Sequence, residues 1–312
     1  MTPSRVLVTG ATGFVGSHLV RRLVREGHEV HVLRRAQSNF HRLLDVLPEL
    51  RCHTTDLGHP GLKTLMREIR PEQIFHLAAA TVVAGATGSA AELIEVNLLG
   101  TVNLIDACQA VDYRSLVTTG DSFEYTASTR PLSEADRCEP DTLHGITKLG
   151  ATMYAQRVAE SRRRPIVTLR LFSTYGPDDN PRRLVPRVIA GALSGQPITL
   201  SRREIARDWV YVDDVVELYL EAGRRAEALR GGVFNAGSGT AISIGEVTDL
   251  LLRLTESAAE PAWGVFTAPA HDATPWIADM ERTFGAFTWR PGTSLEDGLR
   301  RTIAALDRES VR

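Results

Sequence analysis

A chain of 312 residues is long enough for one large core, or for a domain with an added lobe. With 43% hydrophobic and 24% charged residues and a net charge of −2, it lacks the positive field that draws proteins to nucleic acid or to an anionic membrane. No apolar run reaches the ~18 residues of a membrane span, and the three cysteines, Cys52, Cys108 and Cys138, are too scattered for a disulfide framework or a zinc site. The first strand begins within a few residues of Met1, so no signal peptide is expected and a cytoplasmic location is.

The run Val6-Leu7-Val8-Thr9 predicts a strand that ends in Gly10-Ala11-Thr12-Gly13-Phe14-Val15-Gly16. Val15, Leu19 and Leu23 then recur on one helical face. Strand, glycine loop and helix together suit a dinucleotide. The glycines let backbone N–H groups approach a pyrophosphate, and the helix dipole favours an anion there. Gly10, Thr12, Gly13, Phe14 and Val15 are therefore candidate cofactor contacts, although glycines at a strand end also make plain turns. The second strand, Glu29 to Leu33, is followed by Arg34-Arg35. An NAD site usually carries an acidic residue here, about 20 residues past the glycines, for the ribose 2′-hydroxyl. An arginine pair suits a 2′-phosphate instead, so NADPH is the expected cofactor; two solvated arginines are the plain alternative.

A third strand, Arg51 to Thr55, runs into Asp56-Leu57, expected beside the adenine. A helix around Leu62, Leu65, Met66 and Ile69 precedes a strand from Gln73 to Leu77. That strand ends in Ala78-Ala79-Ala80, small residues that let a cofactor lie close. A small-residue loop is expected at 81–90, then a helix from about Ala91 to Ala110. Strand Leu116 to Thr119 opens into Gly120-Asp121-Ser122-Phe123-Glu124-Tyr125. After a polar loop come a helix from about His144 to Glu160 and a strand from Pro165 to Leu171, leading to Thr174-Tyr175-Gly176-Pro177. This alternation predicts an α/β fold, a doubly wound parallel sheet with helices on both faces.

After Pro177 the rhythm changes. A polar loop, a helix to Leu193, the run Trp209 to Asp214, a strand at Val233-Phe234-Asn235, a helix near Ile244 to Leu254 and a last helix from Ser294 follow. Residues 1–176 are expected to form the cofactor-binding domain, and 177–312 mainly a smaller C-terminal substrate lobe, with returns to the first domain near 207–240. Such a lobe would cover the carboxyl edge of the sheet, where ligands bind in such folds.

The chain resembles the extended short-chain dehydrogenase/reductase family of the NAD-dependent epimerase/dehydratase type. The residues carrying this are the three glycines, Asp56-Leu57, His76-Leu77-Ala78-Ala79, Asn97, Arg170 and Tyr175-Gly176-Pro177. Arg207-Asp208-Trp209-Val210-Tyr211-Val212-Asp213-Asp214 and Phe234-Asn235-Ala236-Gly237-Ser238-Gly239 extend it. The resemblance implies a Rossmann-like domain, a nicotinamide cofactor, hydride exchange at a carbonyl or alcohol carbon, and homodimers paired through the helices near Asn97 and Thr147.

Two departures shape the functional expectation. The family's Tyr-x-x-x-Lys reads His144-Gly145-Ile146-Thr147-Lys148 here, and its earlier serine or threonine falls on Asp121, with Ser122 beside it. His144, Lys148 and Ser122 are the candidate catalytic residues. A lysine nearby disfavours an imidazolium, so His144 serves either as the acid or as a positioning group, with the proton from water, Ser122, Tyr125 or the substrate. Lys148 keeps the nicotinamide-ribose contact that the resemblance implies. The sugar-nucleotide stretches also depart, since Arg170-Leu171-Phe172-Ser173 lacks the usual asparagine and Ala268 to Asp272 lacks the usual arginine. Arg207 remains, and Arg202 and Arg203 could compensate.

The resemblance extends to an atypical ketoreductase type of antibiotic pathways, acting on angucyclinone-like polyketides. The expectation is thus an NADPH-dependent ketoreductase acting on a polycyclic aromatic ketone whose own phenol assists protonation. The alternatives are a sugar-nucleotide 4-ketoreductase or epimerase, and a catalytically silent NADP-binding protein.

Overall fold

The computed structural model describes residues 3–80, 89–265 and 275–310. The chain runs β1 (Arg5–Thr9), α1 (Phe14–Arg25), β2 (Glu29–Arg34), β3 (Arg51–Thr54), α2 (Leu62–Ile69) and β4 (Gln73–His76). Next come α3 (Ala90–Leu93), a π-helical stretch (Ile94–Leu99), α4 (Gly100–Cys108), β5 (Ser115–Asp121), α5 (Leu143–Ser161), β6 (Ile166–Leu171) and β7 (Ser173–Tyr175). The remainder is α6 (Leu184–Ser194), β8 (Ala206–Tyr211), α7 (Val212–Arg225), β9 (Val233–Ala236), β10 (Ala241–Ser243), α8 (Ile244–Leu254), α9 (Glu281–Ala286) and α10 (Leu295–Ser310).

Seven strands form a parallel sheet in the order β3-β2-β1-β4-β5-β6-β9. Its central strands are largely buried and apolar because both faces are covered, whereas the edge strand β3 is polar and mostly exposed. In β1, Val6 and Val8 point into the core under α1 and α7, with Leu19, Leu23 and Tyr219. Leu7, between them, points into the other core, with Met66 of α2, Leu104 of α4 and Ala155 of α5. The doubly wound fold expected from the sequence is therefore present.

The strand order reverses between β1 and β4, which opens a crevice at their carboxyl ends. A second sheet, β10-β8-β7, and helices α6, α8 and α10 surround a third core that includes Val188, Tyr211, Val247 and Leu299. Of the later segments, Val233–Ala236 returns to the main sheet as its edge, whereas Ala206–Tyr211 belongs to the small one. Two helices, α7 and α9, were not anticipated. The acidic pair Asp213-Asp214 that closes the Trp209 run lies in the first turn of α7, where carboxylates favour the helix dipole. The loop expected at 81–90 falls, for residues 81–88, outside the described residues, as does the late stretch 268–272.

The single helix expected from Ala91 to Ala110 is broken by the π-helical stretch. Asn97 in that stretch is buried, accepts from the Ala80 amide at 2.7 Å, and donates to the Ala80 carbonyl at 3.0 Å and to Thr147 at 3.2 Å. It ties the segment after β4 to α5, so the irregular helix carries a positioning role.

Candidate active site

The crevice between β1 and β4 is lined by backbone. Gly10 has φ 70°, and a Cβ there would stand 2.5 Å from the Ala78 nitrogen. A Cβ on Gly16 would stand 2.2 Å from the Gly10 oxygen. Only glycine lets the loop, α1 and the end of β4 meet this closely. Gly13 caps α1 without a side-chain hydrogen bond, and no acidic residue lies in its first turn. The leading amides of α1 therefore remain available to an anion.

A cavity of about 350 Å³ runs from Gly10, Thr12 and Gly13 past Arg34, Arg35 and Ser38 to Asp56 and Leu57, with Ala78 and Ala79 on its wall. The Arg34 guanidinium lies 5.4 Å from the centre of the Phe40 ring, and its Nε is buried without a hydrogen-bond partner. A cradle that excludes Cβ atoms, open helix amides and an unpaired guanidinium nitrogen together fit a dinucleotide.

A second cavity, about 500 Å³, takes in Gly13, Phe14 and Val15 and continues to Thr119, Gly120, Asp121, His144 and Lys148. Thr142 starts α5 by accepting from the Gly145 amide at 3.0 Å, which sets His144 and Lys148 one turn apart on one face. His144 Nε2 lies 3.3 Å from Asp121 Oδ2, and Nδ1 is buried without a partner. Burial alone would raise the Asp121 carboxyl. The hydrogen bond and charge of His144, the Phe123 amide and the Lys148 ammonium outweigh it and hold Asp121 below the usual carboxylate range.

Lys148 is buried and donates to the Thr119 carbonyl; burial lowers its pKa against the opposing pull of Asp121 and Glu124. Behind it, His76 bridges Thr9 at 2.7 Å and Thr101 at 2.8 Å. Burial, then the Lys148 charge, pushes His76 down to about 3, so it is a neutral strut.

Ser122, the expected hydroxyl partner, stands apart from the His144–Asp121 pair. It lies one residue beyond the strand end, on a short turn of 3₁₀ helix, and is not among the residues lining the cavity; Asp121 faces His144 instead. Tyr125 is also removed as a proton source, because its hydroxyl is buried and donates to Asn235 at 2.7 Å. Arg207 lies on β8 between Ile242 and Trp276, outside the lining residues. Arg202 and Arg203 pair with Glu204 and Asp249.

Sequence reasoning missed a buried ion pair beneath the site. Glu124 Oε2 accepts from Arg170 Nε at 2.7 Å, with side chains 0% and 5% exposed. Glu124 Oε1 accepts from Thr152 at 2.9 Å and from the Asp121 amide at 2.9 Å. Burial alone would lower the Arg170 pKa, but Glu124 chiefly raises it, so the guanidinium stays charged. The capping pattern Asp121-x-x-Glu124 was the available signal.

It also missed Asp179, which lines the same cavity with a side chain only 4% exposed. Burial pushes its carboxyl up to about 6, against the opposing pull of Arg183, the Asn180 amide and Arg42. The folded chain thus holds this proton more tightly than the unfolded one. The resulting cost is absent below the ordinary value of 3.8 and complete above about pH 6. At about 1.4 kcal/mol for each tenfold in proton affinity, it approaches 3 kcal/mol. Asp179→Asn is accordingly expected to stabilise the protein by about 1–3 kcal/mol at pH 8 and by little at pH 4. Urea melts at the two pH values check this; equal effects at both would refute it.

The model for the NAD dependent epimerase/dehydratase family matches residues 6–237. This chain belongs to that family. Among its relatives, a probable UDP-glucuronate 4-epimerase of Rhizobium meliloti (strain 1021) is 31% identical over 229 residues, covering 68% of this chain and 66% of that protein. The chain therefore spans just under two thirds of that relative's length. Among solved structures, the UDP-glucose 4-epimerase of Thermotoga maritima, solved with UDP-glucose, has a TM-score of 0.88 at 25% identity and covers 99% of this chain and 100% of its own. MoeE5 in complex with UDP-glucuronic acid and NAD has a TM-score of 0.85 at 29% identity, covering 98% and 99%.

These findings overturn the expectation of a polycyclic aromatic ketone as substrate. These three relatives are named for, or solved with, sugar nucleotides. The weakened motifs around Ser173 and 268–272 had suggested that such binding was lost. A nucleotide site is assembled from many contacts, so two altered stretches are by themselves no argument that it is lost. No helix among the described residues is long and apolar enough to cross a membrane.

Proposed function

We propose that this chain is a nicotinamide-dependent enzyme acting at a secondary carbon of the sugar in a sugar nucleotide, in the manner of a 4-epimerase. The observation that carries this is the His144–Asp121 pair beside Lys148, in a cavity that also reaches the glycine loop. A bound nicotinamide supplies the two-electron exchange with the sugar carbon. His144 takes the proton of the sugar hydroxyl and returns it. Asp121 fixes the ring tautomer and supports the positive charge that forms, as a carboxylate does for a histidine base. Asp121 also offsets the repulsion that Lys148 alone would exert on that charge. Lys148, anchored on Thr119, holds the nicotinamide ribose, and Arg42 and Arg183 line the cavity as cations for a diphosphate.

For the cofactor, the arginine pair on the 350 Å³ cavity supports NADP(H) over NAD(H). The same observation favours a second reading, a sugar-nucleotide 4-ketoreductase, because NADPH serves reductions. Arg34→Asp is expected to reduce the preference for NADPH over NADH at least about tenfold by removing a charge-assisted contact. Cofactor titrations check this, and an unchanged ratio would refute the arginine assignment.

The deciding experiment incubates the purified protein, supplied with each cofactor, with UDP-glucose, UDP-glucuronic acid and a 4-keto sugar nucleotide. Proton NMR detects a 4-epimer, and absorbance at 340 nm follows NADPH. Epimer formation supports the first reading, and NADPH consumption with the keto sugar the second. No change with any of them refutes both.

A further inference from the structure

The turn after β7 is held from the cofactor side of the molecule. His18 of α1 lies with Nε2 3.0 Å from the Pro177 carbonyl, and Arg21 holds Asp178 Oδ2 at 3.0 Å. Arg42 donates to the Asp178 carbonyl at 2.8 Å and to the Thr12 carbonyl at 3.3 Å. Asp178 itself has φ 65°, a left-handed conformation that costs free energy outside glycine. This strained, pinned residue turns the next side chain inward.

That side chain is Asp179, 4% exposed and lining the cavity with His144 and Lys148. Its Oδ1 accepts from the Asn180 amide at 2.7 Å, and the Arg183 guanidinium lies 3.9 Å away, beyond hydrogen-bond reach. Among the described residues Oδ2 has no hydrogen-bond partner. A carboxylate desolvated this far with a vacant oxygen lacks donors, and in a binding cavity the ligand can provide them. Sugar hydroxyls are donors. A sugar carboxylate is an acceptor only and carries like charge.

We propose that Asp179 makes this cavity selective for a neutral hexose over a hexuronate: its carboxylate accepts hydrogen bonds from sugar hydroxyls and repels a sugar carboxylate. This rests on the reading of the chain as a sugar-nucleotide enzyme. The cations nearby are already engaged. Arg42, bound to two carbonyls, and Arg183, facing Asp179 itself, are the cations assigned to the diphosphate, and Lys148 is bound to Thr119 and faces Asp121. None is left dedicated to a uronate.

The test is calorimetric titration of the cofactor-loaded protein with UDP-glucose and with UDP-glucuronic acid, at pH 8 and pH 5, for wild type and Asp179→Asn. At pH 8 the wild type is expected to bind UDP-glucose at least about tenfold more tightly, and Asp179→Asn to bring the two within about threefold. Lowering the pH to 5 is expected to shrink the wild-type ratio, because Asp179 becomes protonated while the uronate stays ionised. The groups around Asp179 are Arg42, Arg183 and Asn180, with Asp121, His144 and Lys148 further along the cavity. A pH effect arising at any of those persists in Asp179→Asn, whereas one arising at Asp179 vanishes. The wild-type comparison needs no variant, so a poorly folded mutant does not remove the test. Equal affinities in the wild type, or the same ratio in Asp179→Asn, refute the role of Asp179 and leave the sugar-nucleotide reading standing. Binding of neither ligand refutes both.

Discussion

Replacing His144 with phenylalanine is expected to lower kcat about 10²- to 10⁴-fold, the usual cost of losing a general acid–base group. Cofactor affinity is expected to stay within about threefold, because the glycine loop, the Arg34 cavity and Lys148 are untouched. The phenyl ring is an aromatic replacement for imidazole, and His144 already meets the Phe123 ring edge-on with centroids 6.4 Å apart. Asp121→Asn separates the partners. It keeps the imidazole and removes the carboxylate that orients it, so kcat is expected to fall. Steady-state kinetics on whichever sugar nucleotide the protein turns over check both. A fall of less than tenfold in His144→Phe would place the proton on water or on the substrate.

Removing Glu124 is expected to have the largest effect on stability. Glu124→Ala leaves the Arg170 guanidinium buried beside Tyr125 without its carboxylate, and strips an acceptor from Thr152 and from the Asp121 amide. Breaking such a buried pair typically costs about 3–5 kcal/mol. The double change Glu124→Leu with Arg170→Met is expected to recover part of that loss, because it removes the unpaired charge as well. Urea unfolding of the single and double variants measures both. A single variant within about 1 kcal/mol of wild type would show that the pair is dispensable. Activity is expected to fall further than stability alone explains, since the Glu124 carboxylate also fixes Asp121.

The two predictions concern residues that were legible to different degrees. His144 and Lys148 stand four apart on one predicted helix, so a local pattern placed them together. The partner of His144 was harder. Asp121 and Ser122 are neighbours at a strand end, and one residue decides which side chain enters the cavity. The strand persists through Asp121 and a tight turn begins at Ser122, and of the two Asp121 is the one that lines the cavity. The substrate expectation erred because it weighed two altered motif stretches, whereas a nucleotide site is distributed over many elements. The missed helix α7 follows β8 without a loop, so no turn residue marked its start.

Short-range regularities in the chain determined the fold class, the order of the elements and the position of the cofactor loop. Alternating apolar residues, helical periodicity and glycine spacing act over a few residues, and a sequence displays them directly. The charged and polar interior of the site was decided only in three dimensions. His144 meets Asp121 across 23 residues, Glu124 meets Arg170 across 46, and Arg42 reaches Asp178 across 136. Whether such a side chain is solvated or buried against a partner depends on how the strand ends and turns are brought together. That same assembly buries Asp179 in the cavity wall, where desolvation turns an ordinary loop carboxylate into a strained one.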